Sequence, residues 1–170
     1  MTSNGLHMND SFVTTKFVID SIARERARLA AAIERLGAEA STLPVTDEGW
    51  TAKDVLAHLI HYAEQIAFGL GAKLAPPAYV VGVSERLSGD QWNARAVAHY
   101  REKPFHAVRE QFEGIVALLI ERTGLRTDEQ MNATDAMPWA GDRPLWQIIG
   151  GDTFLHWPLH AEAIERAAGI

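Results

Sequence analysis

The chain has 170 residues, enough for one domain with a core of its own. It contains no cysteine, which excludes disulfides, thiolate metal sites and a thiol nucleophile supplied by the protein, so any bound metal must be held by nitrogen and oxygen. A formal charge of -6 and a pI near 5.6 argue against nucleic acid and anionic membranes, which need a basic footprint, and leave small molecules or proteins as partners.

Residues 1–10 read as a polar, disordered leader and residues 11–170 as a single domain. The start lacks the basic and apolar segments of a signal peptide, and no apolar run is long enough to span a bilayer, so the expected compartment is cytoplasmic. From Ser11 to Leu36 apolar residues recur at helical spacing (Phe12, Phe17, Ile22, Leu29, Ile33), with Gly37 as the stop. Thr51 with Asp54 three residues on predicts a capped start for a second helix running to about Leu74, ended by Pro76 and Pro77. Ser88 opens a shorter helix to about Glu102. Pro104 suits the first turn of the next, which carries Phe105, Val108, Phe112, Ile115 and Leu119 before Gly124. A loop spans roughly residues 125–142, and Pro144 begins a last helix predicted to run on through the C-terminal segment. Nothing reads convincingly as a strand. The expected fold is therefore all-α, a four-helix bundle with a short extra helix between the second and third long helices.

The last helix carries the most informative spacing. His156 and His160 lie one turn apart, where two imidazoles can reach one metal ion. At 100° per residue, Leu145, Ile149, His156, His160, Ala163 and Ala167 fall within roughly 60°, which puts both rings in the middle of the apolar face. Two buried imidazoles need partners: a metal, carboxylates or carbonyls from a facing helix, or water in a cavity. Asp152 extends the same seam, where it can orient an imidazole N–H, act as a ligand, or bond nearby backbone. On the second helix, His58 falls roughly 40° outside the apolar arc, at the core boundary, and His61 roughly 100° outside it, in solvent. Taken alone, His58 is an ordinary boundary residue. Taken with the pair, it is the candidate third ligand. Pro158 lies between the paired histidines, where a proline inside a helix kinks it and unsettles the reach of His160. His99 and His106 have no ligand spacing and read as surface or boundary residues.

Four segments together resemble the DinB/YfiT-like superfamily, which includes the mycothiol-dependent maleylpyruvate isomerase N-terminal domain. They are Gly49-Trp50-Thr51 through Val55-Leu56-Ala57-His58, Asp90-Gln91-Trp92-Asn93 followed by Phe105 to Phe112, Pro138-Trp139-Ala140-Gly141, and Asp152-Thr153 through His156 to His160. The second of these is similar to the branch with ClbS-like and DfsB-like proteins. The resemblance implies a divalent metal, zinc or nickel, held by His58, His156 and His160, and a cosubstrate that is a low-molecular-weight thiol such as mycothiol or bacillithiol. It implies a metal-dependent transferase, isomerase or hydrolase acting on a small molecule. A non-catalytic metal- or ligand-binding stress protein and a metal-free hydrolase of the ClbS-like kind remain as alternatives. Asn93, Trp92 and Trp139 are candidates to line the pocket, with Asp152 behind the ligands. Bundles of this type often pair, so a homodimer is expected.

Overall fold

The computed structural model describes residues 12–170; the expected leader over residues 1–10 lies outside them. The long helices are α1 (Thr15–Leu36), α2 (Ala52–Gly69) and α4 (Phe105–Gly124), with the shorter α3 (Gly89–Arg101) in the connection between the second and third. A single turn, α5 (Asp128–Asn132), interrupts the expected loop, and the fourth member of the bundle comes in two pieces, α6 (Leu145–Gly151) and α7 (Trp157–Ala167). Among the described residues there is no strand, only one bridge between Pro44 and Thr51. None of their helices is long and apolar enough to cross a membrane.

Local chemistry sets the helix ends. Thr14 caps α1 by accepting from the Phe17 N–H, so the helix starts at Thr15 and not at Ser11. Its buried row is Val18, Ile22, Leu29, Ile33 and Leu36, whereas Phe12 and Phe17, which belong to the same apolar pattern in the sequence, are exposed. The capping box of Thr51 and Asp54 is present at the start of α2. Its end differs from expectation: the helix stops at Gly69, ahead of the prolines. Gly71 takes φ +85°, its N–H bonds the Phe68 carbonyl and the Ala72 N–H reaches back to Ala67, the paired bonds of a Schellman motif. The freed segment that follows is pinned by Tyr79, whose carbonyl accepts from Arg95 of α3.

The expected continuous last helix is broken, and the break explains Pro158. After Gly151 the chain makes a tight turn in which the Thr153 hydroxyl donates to the Ile149 carbonyl and the Trp157 indole to that of Asp152. A Cβ at Gly150 would stand 2.7 Å from the Phe154 ring, so the fold-back needs glycine there. Pro158 then falls in the first turn of α7, where its missing N–H would have had no helical partner. The predicted kink within a helix is a boundary between two.

Core packing places the site. α2 packs against α4, α3 and α7, while α1 packs against α7 and α4. Arg28 on α1 and Glu165 on α7 add a two-bond ion pair with both distances 2.7 Å. α2 thus contacts both α7 and α3, the two elements that bring further side chains to His58.

Candidate metal centre

His58, His156 and His160 are brought together. One ring nitrogen of each lies within 4.8 Å of the others. The Nε2 atoms of His58 and His156 are 3.4 Å apart, and those of His156 and His160 2.9 Å. His58 is buried on α2; His156 caps α7 in near-helical conformation (φ -101°, ψ -45°) and His160 lies one turn on, both half-buried. The i, i+4 relation therefore survives the break, although Leu145 and Ile149 belong to a different helix.

The proton on His58 is directed by its neighbour. Nδ1 lies 2.9 Å from Asn93 Oδ1, an acceptor, so Nδ1 carries the hydrogen and Nε2 presents a lone pair to the other two rings. His156 can donate from Nε2 to one of its neighbours but not to both, and its Nδ1 is buried with no partner. Protons on neutral rings therefore leave one of the three Nε2 atoms without a complementary partner. A cation satisfies all three at once. Nitrogens bound to one tetrahedral zinc at about 2.0–2.1 Å would stand roughly 3.3 Å apart, close to the 3.4 Å between His58 and His156 and longer than the 2.9 Å between His156 and His160.

Burial favours the neutral rings that metal binding requires. It pushes His58 down to about 4, against the Asn93 bond, with the neighbouring imidazoles adding to the fall. His160 is lowered to about 3 by burial and by His58 and His156, and burial also lowers His156. The carboxyl of Asp152 is raised to about 6 by burial, against the attraction of Arg143.

A cavity of about 630 Å³ opens over the three histidines, with Trp50, Asn93, Val97 and Arg101 in its walls. Trp50 and Tyr62 pack on the His58 ring at centroid distances of 5.3 and 5.0 Å. Trp50 is set by the bridged loop before α2, where its N–H bonds the Thr46 hydroxyl and its carbonyl accepts from the Val45 N–H. Arg101 reaches in from the end of α3 and donates through Nε to Asp54, 3.3 Å away.

Of the other candidates, Asn93 lies at the site. Asp152 has no hydrogen bond to an imidazole; its carboxyl feels the charge of Arg143, and its carbonyl takes the Trp157 indole N–H. Trp92 points to the other side of α3 and stacks on His61. Trp139 is exposed, away from the cavity walls. Sequence reasoning named Trp50 only within the resemblance and assigned neither Tyr62 nor Arg101 to the site; Trp50 had a signal, since it precedes a helix cap two turns before His58. His61, expected in solvent, is buried, because α3 and the Tyr79 segment cover that side of α2.

The sequence profile of the mycothiol maleylpyruvate isomerase N-terminal domain matches residues 22–157. The chain belongs to this family, and with it to the DinB/YfiT-like superfamily. The family match takes in His58 and His156 and ends three residues before His160. The fold is also that of an uncharacterised protein from Escherichia coli UTI89, whose crystal structure is similar over 92% of this chain and 93% of that one, at 12% identity and a TM-score of 0.72. No curated protein matches the chain.

Proposed function

We propose that this DinB-like protein is a metal-dependent enzyme, in which His58, His156 and His160 hold one divalent ion, zinc or nickel, beneath a cavity that admits a small molecule. The observation that carries the reading is the convergence of three Nε2 atoms, one of which Asn93 fixes as a lone-pair donor. His58, His156 and His160 would hold the ion by three imidazoles, and the chemistry it would supply there is a lowered pKa for a water or thiol, giving a nucleophile at neutral pH.

The protein's own part is orientation and shelter. Asn93 holds the tautomer and ring plane of His58. Trp50 and Tyr62 wall that ring from bulk water, and Arg101 sets a cation in the cavity wall. With no cysteine in the chain, any thiol in the reaction enters as cosubstrate, and the family points to a low-molecular-weight thiol such as mycothiol. Thiol transfer, isomerisation and hydrolysis of a small electrophile are the reactions this arrangement serves. The same reading expects a cytoplasmic protein, where thiols are kept reduced.

Elemental analysis of protein purified without a metal-affinity column tests it. The expected result is about one equivalent of zinc or nickel, bound with a 1:1 stoichiometry on titration. Less than a tenth of an equivalent, with no uptake of either ion, overturns the metal reading and leaves a metal-free hydrolase with acid–base histidines. Consumption of an electrophile by added thiol, lost with the metal and restored by it, separates an enzyme from a metal-binding protein.

A further inference from the structure

A second cavity, of about 470 Å³, lies on the other side of α2 and shares no wall residue with the first. Its walls are apolar: Trp92 on one side, Leu74, Pro76, Pro77 and Val80 of the segment after α2 on another, and at the rim Phe68, which is 67% exposed. The volume is within the range of small-molecule sites, which are largely apolar with a few placed polar groups. The polar residues here are Glu64, Gln65 and His61, the last 3% exposed and stacked on the Trp92 indole at 5.6 Å and 25°.

The hydrogen bonds around His61 fix what it offers. The Tyr79 hydroxyl donates to the Glu64 carboxylate at 3.2 Å, so its oxygen is free to accept from His61 Nδ1–H, also at 3.2 Å. Nε2 of His61 is then an acceptor. It is met at 2.7 Å by the side-chain amide of Gln65, an exposed residue at the cavity wall. A buried acceptor, held in one tautomer by a chain that ends on a carboxylate and covered by an amide that can swing into solvent, is a place for a ligand donor to bind.

We propose that this cavity is a second small-molecule site, for a neutral, flat, mainly aromatic compound with one hydroxyl donor. The ring lies against Trp92 and the proline wall, and the hydroxyl replaces the Gln65 amide at His61 Nε2. The site owes nothing to the metal reading: none of its walls is a ligand or touches the first cavity.

Calorimetric titration of the full-length protein with 1-naphthol and 1-methoxynaphthalene tests the proposal. The two share a ring system, and only the first has a donor. The expected result is 1:1 binding of 1-naphthol about tenfold tighter than of its methyl ether, unchanged by His156→Ala. His61→Phe keeps a ring on Trp92 but removes the acceptor, and should bring the two probes to equal affinity. Ala75→Trp, on an exposed wall residue whose replacement leaves the core intact, should weaken both at least tenfold. Equal binding of the two probes to the wild type, no binding up to their solubility, or full affinity in Ala75→Trp would overturn the assignment.

Discussion

His58 and His61 sit within one turn of α2, 5% and 3% exposed, and each leans on a neighbouring residue of α3. They are satisfied in opposite ways. Around His61 every ring nitrogen has a partner in a chain running from Gln65 through Tyr79 to Glu64. Around His58 one nitrogen is bonded to Asn93 and the other faces two further imidazoles whose lone pairs compete for the same space. Two buried histidines on one helix thus separate into a closed polar chain and an open donor set, and only the open set calls for a cation.

The largest expected effect comes from removing a member of the open set. His156→Ala should lower zinc or nickel affinity by about 10²–10³-fold, roughly the share of one ligand in the 10–16 kcal/mol of a full structural zinc site. Helix content by circular dichroism should stay near wild type, since His156 lies at the N-cap of α7 and not inside the packed core. Wild-type metal content in this variant would show that the donor set is wrong.

The next effect is one step removed. Asn93→Ala should weaken metal binding by about 10- to 100-fold, as loss of a partner to a ligating imidazole does elsewhere, and Asn93→Asp should keep most of the affinity because it still accepts from Nδ1–H. Trp92→Leu, one residue away, should leave metal affinity at the wild-type value while disturbing the stack on His61. Equal losses in Asn93→Ala and Trp92→Leu would mean that α3 acts as one rigid support and that the two regions are not distinct.

How far the sequence revealed this is best judged residue by residue. The bundle, its order and the caps at Thr51 and Ser88 follow from local signals, because periodicity and capping are written within a few residues. The three converging histidines were legible for the same reason. The break after Gly151 was not, because helical periodicity cannot tell one helix from two that keep their phase; Gly150, Gly151 and Pro158 together were the signal. His61 was misplaced because a helical wheel reports only the apolar arc of its own helix, whereas Trp92 and Tyr79, distant in sequence, decide what covers its other side. Asn93 was visible as a polar residue beside an aromatic one, but its bond to His58 depends on the docking of α3 on α2.

The smallest effect is a pH dependence, and it belongs to the closed chain. Burial pushes His61 down to about 4, while in the unfolded chain it titrates near 6.5. Between those values the unfolded state holds the proton that the folded state refuses, so stability is full above pH 6.5 and falls as the pH drops towards 4. Glu64 works in the opposite sense: burial raises its carboxyl, so acidification removes a penalty that its buried charge imposes. Comparing wild type with His61→Gln in metal-free protein removes most of the contribution of Glu64 and the three converging histidines, whose titrations the two proteins largely share. Urea unfolding at pH 7 and pH 4 should therefore show a smaller loss of stability in His61→Gln, by on the order of 2 kcal/mol. Parallel pH profiles in the two proteins would mean that His61 takes up its proton in the folded state as readily as in the unfolded one, and that the chain from Gln65 to Glu64 does not hold it neutral.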